Sequence, residues 1–134
     1  MAWSAGAVLT AAQLNVFLPQ DWVAWSPTIT SESGSGMTTS ITSARYTKMG
    51  HTLHWKLNLT ITAAGTGAGA VRFTLPSAAG ATGDYIGNGR SASSGKALQV
   101  FANATTQGSV LTYDNVSPIT TSHVLLLAGT YEAA

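Results

Sequence analysis

Five carboxylates, three histidines and no cysteine are all that this chain offers for acid–base, nucleophilic or metal chemistry. A glycosidase needs two carboxyl groups roughly 5–9.5 Å apart, and Asp21, Glu32, Asp84, Asp114 and Glu132 fall in no recognisable motif. Only a fold that gathers two of them in one cleft brings that chemistry into play. Asp84 and Asp114 sit in turn-like settings, where Asp ordinarily bonds nearby backbone. His51 and His54 have a spacing that clips a metal on a helix, but in a strand residues three apart point to opposite faces. His51 therefore reads as a turn residue, His54 as solvent-facing and His123 as a strand-edge residue. Without cysteine there is no thiolate nucleophile, no disulfide and no Cys-ligated zinc or iron–sulfur site. The Gly-x-Ser-x-Gly elbow that exposes a serine nucleophile is absent. Gly87-Asn88-Gly89 lacks the lysine and following helix of a phosphate loop and reads as a glycine-rich turn. These residues predict no enzyme, no metal site and no cofactor.

Binding chemistry is the other possibility. Trp3, Trp22, Trp25 and Trp55 could line a sugar platform, since aromatic faces suit that role. Trp55 lies on the apolar side of an alternating run and reads as core, which leaves Trp3 and Trp22 as contact residues. The basic residues Arg45, Lys48, Lys56, Arg72, Arg90 and Lys96 are scattered and the net charge is +1, against the clustered cations of a nucleic-acid binder. Asn58-Leu59-Thr60, Asn103-Ala104-Thr105 and Asn115-Val116-Ser117 match the glycosylation sequon, which matters only in a eukaryotic secreted chain. The start, Met1-Ala2-Trp3-Ser4, lacks the basic and apolar regions of a secretory signal. The longest apolar stretch, Val124 to Ala128, is far short of the roughly 20 residues that cross a bilayer. The expectation is a chain made and assembled in the cytosol, with no nucleic acid and no membrane as partner.

The elements that position these residues follow from composition and period. At 134 residues with 45% hydrophobic content, one compact core is the expectation. Fourteen glycines and abundant Ser, Thr and Ala place it among short-stranded all-β proteins. Only 8% of residues are charged, where a soluble surface usually carries roughly 25–35%. Either hydroxyls solvate the surface or part of it is covered by neighbouring subunits, and the second fits an assembly component.

Residues 1–22 differ from the rest. Thr10-Ala11-Ala12-Gln13 matches a capping box that starts a helix at Thr10. Leu9 and Leu14 are placed as a hydrophobic staple, and Pro19 stops the helix after about two turns. So short a helix is marginal alone, because isolated helices under roughly 12–15 residues seldom persist. Its apolar residues Val8, Leu9, Leu14, Phe17 and Leu18 either pack on their own domain or dock on a partner. Beyond it, Trp22 to Trp25 suits a first strand, Pro27 an edge or bend, and Ser31 to Gly36 a flexible turn. From His51 to Thr62 the alternation is unbroken, with Leu53, Trp55, Leu57, Leu59 and Ile61 on one face. Ile41 to Lys48 pairs with it through a Gly50-His51 hairpin. Further strand signals lie at Val71–Leu75, Leu98–Phe101, Val110–Tyr113 and His123–Tyr131, with Ser77–Lys96 a long irregular or short-stranded connection in which Tyr85-Ile86 is the one strand fragment. Seven to eight short strands without intervening helices predict an antiparallel, jelly-roll-like β-sandwich over residues 23–134, preceded by an N-terminal anchoring segment, 1–22.

The stretch Ala5-Gly6-Ala7-Val8-Leu9-Thr10-Ala11-Ala12-Gln13-Leu14-Asn15 resembles the leader of many small virion proteins of tailed bacteriophages, notably minor tail, head-fibre and capsid decoration proteins. Ala44-Arg45-Tyr46-Thr47-Lys48-Met49-Gly50-His51-Thr52-Leu53 resembles the hairpin of the β-sandwich domains that follow such leaders, with Val71 to Pro76 as the next strand. Together the matches cover about half of the chain. Such leaders often continue into a charged helix, whereas Val16-Phe17-Leu18-Pro19 breaks off here, which favours a compact knob over a long stalk. The resemblance implies a non-enzymatic structural protein on the virion surface. It would form a homo-oligomer, a trimer in many related modules. Its partner would be the major capsid protein or a tail component, attached through Trp3, Val8, Leu9, Leu14, Phe17, Leu18 and Trp22. The competing expectation is a carbohydrate-binding module that recognises host surface glycans.

Overall fold

The structure, a computed structural model, describes residues 5–15, 18 and 21–134. Helix α1 spans Ala11–Asn15. Its capping box closes reciprocally: Thr10 N–H donates to Gln13 Oε1 at 2.9 Å and Gln13 N–H donates to Thr10 Oγ1 at 3.2 Å. The strands are β1 (Val23–Ala24), β2 (Ile29–Ser33), β3 (Thr38–Met49), β4 (Thr52–Ala63), β5 (Ala68–Thr74), β6 (Tyr85–Ser91), β7 (Ala97–Ala104), β8 (Gln107–Thr112) and β9 (Val124–Glu132). All pair antiparallel in one continuous sheet, ordered β1-β3-β4-β9-β6-β7-β8-β5-β2.

That order makes the sheet curl. Its two edges, β1 and β2, are consecutive in the chain, and the five steps from Ala24 to Ile29 reach at most about 18 Å when extended. Trp25 joins both sides. Its backbone N–H donates to Ala44 O at 3.1 Å in β3, and its indole N–H donates to Thr74 O at 3.1 Å in β5. Thr28 and Thr74 complete the seam: Thr28 N–H donates to Thr74 Oγ1 and Thr74 N–H to Thr28 O. The structure is thus an all-β chain with a curled antiparallel sheet and one short helix.

Curling encloses a single core. Leu53, Trp55, Leu57, Leu59 and Ile61 of β4 are buried as their alternation predicts, while His54 and Thr62 are exposed and Lys56, Asn58 and Thr60 half-buried. Cross-strand partners continue the inner face, with Leu57 opposite Leu127, Leu59 opposite Leu125, Val100 opposite Val110 and Val71 opposite Val110. At its centre Trp55 lies 5.2 Å from Phe73 and 6.4 Å, edge-on, from Trp25. The β3–β4 hairpin turns at Gly50-His51, with φ +60° at Gly50, the first central position, where a II′ turn demands it.

Two strands depart from the sequence reading. Residues 31–33, read as the start of a turn, belong to β2, an edge strand whose Ser and Glu side chains leave no apolar alternation to see. Glu32 pins that edge by accepting from Ala70 N–H at 2.9 Å and pairing with Arg72 at 3.1 Å. Gly87-Asn88-Gly89, read as a turn, lies inside β6. Both glycines face inward where bulk has no room: a Cβ on Gly87 would stand 2.6 Å from the Trp55 ring, and one on Gly89 2.8 Å from the Leu127 side chain. The connection 77–96 therefore carries a strand longer than the Tyr85-Ile86 fragment.

Tyr131 closes one end of the core, donating its hydroxyl to Ser77 O at 2.7 Å. Burial, partly opposed by the hydrogen bond that Ser77 N–H donates to the Tyr131 oxygen, pushes its pKa up to about 12. A phenol raised above its unfolded value near 10 adds stability that is complete below pH 10 and is lost as pH rises towards 12. An absorbance titration should find one of the four tyrosines ionising last, with unfolding following it.

Candidate functional site

The described apolar residues of the N-terminal segment are exposed. Val8 is 87% exposed, Leu9, Leu14, Leu18 and Trp22 are each about half exposed, and α1 buries no residue. Trp3 and Phe17 lie outside the described residues. At Trp22 the Arg45 guanidinium of β3 sits 5.3 Å from the ring centroid. Arg45 is also the cross-strand partner of Lys56, so the Trp22 ring offers a cation an attractive face beside a like charge.

The fold gathers two of the five carboxylates. Asp84 and Glu132 line one hollow of about 650 Å³ with His51, Thr52, Thr130 and Tyr131 at an end of the sheet. Asp84, Glu132 and His51 are all exposed there, and no hydrogen bond joins their side chains. No group of three or more His, Cys, Asp or Glu suited to a metal occurs among the described residues. His54 bonds Thr130 at 2.8 Å on the outer face. Asp114 is structural: a hydrogen bond from Thr112, then Lys96 at 3.3 Å, hold its carboxyl below the usual value.

A second depression, of about 840 Å³, lies over the outer face of β6 and β7. Clefts that hold ligands run from roughly 300 to 1,000 Å³. Tyr85, 72% exposed, and Tyr113, 81% exposed, both line it, as do the side chains of Asn88, Arg90, Gln99 and Leu126. The register shifts between Tyr85 and Gly87, a bulge of the kind that re-aims a side chain. Gln99 is fixed from three directions: it accepts from Tyr85 Oη at 2.7 Å and donates to Asn115 Oδ1 at 2.6 Å and to Thr112 O at 3.1 Å. Sequence reading missed this face, since Tyr85 was seen only as a strand fragment and Tyr113 only as a strand end. The available signal was two tyrosines, each next to a turn, with alternating Asn88 and Arg90 between glycines.

No protein-family model matches the chain, and neither a curated protein nor a solved structure matches it. No helix among the described residues is long and apolar enough to cross a membrane.

Proposed function

We infer that this chain is a non-enzymatic structural protein of a tailed-bacteriophage virion surface, a capsid decoration or head-fibre-like knob or a minor tail protein. Residues 1–22 attach it and residues 23–134 are displayed. The observation that carries the reading is the exposed apolar leader, which a sheet with a complete core of its own leaves uncovered. Fully burying each of Val8, Leu9, Leu14 and Leu18 is worth about 1.5–3 kcal/mol, so a partner surface is the stable place for them. The resemblance of Ala5–Asn15 to virion leaders and the 8% charge content support the same reading. We also read the curled sheet as a flattened, jelly-roll-like sandwich, its halves facing each other across Trp55 and Phe73, and the assembled form as a trimer.

Quantitative mass spectrometry of purified phage particles tests this. The chain should be present in copies that are a multiple of three, hundreds for a capsid lattice and a few for a tail tip. Its absence from mature particles contradicts the reading.

A further inference from the structure

We propose that the outer face of β6 and β7 is a binding site for an acidic polysaccharide, with Tyr85 and Tyr113 as stacking surfaces and Arg90 facing the sugar's carboxylate. The two rings are largely exposed, yet Tyr85 is held in place by its hydrogen bond to Gln99. An exposed aromatic that is already fixed loses little freedom when a ligand stacks on it. The C–H faces of a sugar ring carry slight positive charge and suit the negative face of a phenol ring.

Between the rings the polar groups are amides and one guanidinium. Asn88 and Arg90 make no side-chain hydrogen bond with any described residue, so their donors are free for hydroxyl and carboxylate oxygens. A guanidinium binds a carboxylate through two parallel N–H donors, which selects for an anion of that shape. No carboxylate lines the depression to repel one. Asp114, beside Tyr113, is neutralised by Lys96 at 3.3 Å. The depression is open and shallow along two strands, which suits a chain passing across it. A cofactor would need enclosure instead.

The inference does not depend on the virion reading, because binding is a property of the isolated chain. The full chain should be applied to an array of uronic-acid and sialic-acid polysaccharides beside neutral dextran and mannan. Acidic chains should bind at least tenfold more tightly than neutral ones. Tyr113→Ala should weaken that binding at least tenfold, Tyr113→Phe should retain it, and Arg90→Gln should remove the preference for acidic chains. Both positions are exposed, so melting temperatures should stay within about 2 °C of the parent, as surface changes usually cost little stability. No binding to any chain overturns the proposal, as does equal binding of acidic and neutral chains or indifference to Tyr113→Ala. Sedimentation adds a further test: an oligomer that Tyr113→Ala converts to monomer makes this face a subunit interface and overturns the glycan site.

Discussion

Trp55→Ala is expected to destabilise the fold by at least about 3–5 kcal/mol, the usual cost of emptying a buried aromatic site. Trp55 is 1% exposed and meets both β9 and β6. It stands opposite Gly129 in β9, its ring fills the space that Gly87 leaves in β6, and its indole N–H donates to Ile86 O at 2.9 Å. Truncation would therefore strand a buried carbonyl as well, adding roughly 1–3 kcal/mol. Against a typical total of about 5–15 kcal/mol, that threatens folding altogether. Trp55→Phe keeps most of the ring and loses only the donor, so its loss should be clearly smaller. Gly129→Ala tests the same contact from the other side, since a Cβ there collides with the Ile86 carbonyl and Gly87 Cα. Chemical denaturation should rank Trp55→Ala below Trp55→Phe. Equal stability of the two would mean that the indole is not the keystone of the β4–β9–β6 packing.

What could be read from the sequence depended on whether a residue's reason was local. The Thr10–Gln13 capping box is a contact three residues apart, so its pattern alone announces the helix start. The β4 alternation is legible because each inward position carries a large apolar side chain. The inward positions of β6 are Gly87 and Gly89, emptied by Trp55 and Leu127 from 32 and 38 residues away along the chain, and no local pattern records that. β2 was hidden because an edge strand with one wet face tolerates Ser and Glu. The Tyr85–Tyr113 depression was hidden for a related reason: it exists only because β7 brings the two strand ends together, through Gln99. The meeting of Asp84 and Glu132 in one hollow was not readable either, because the two lie 48 residues apart in the chain.

Deletion of residues 1–22 should abolish attachment to phage particles while leaving the sheet domain folded. The expectation rests on where the contacts are. Among the described residues the buried core contains no leader side chain, and Trp22 meets the sheet through the exposed Arg45 pair, worth about 0.5–1 kcal/mol. Melting should therefore fall by no more than about 5 °C, given a few degrees per kcal/mol for a domain of this size. The direct measurement pairs two readouts on the truncated chain: thermal unfolding, and binding to particles that lack the full-length protein. Near-parental melting with no particle binding is the predicted result. A drop in melting of more than about 10 °C would show that the leader is part of the folded core, and undiminished particle binding would show that attachment lies elsewhere; either contradicts the account.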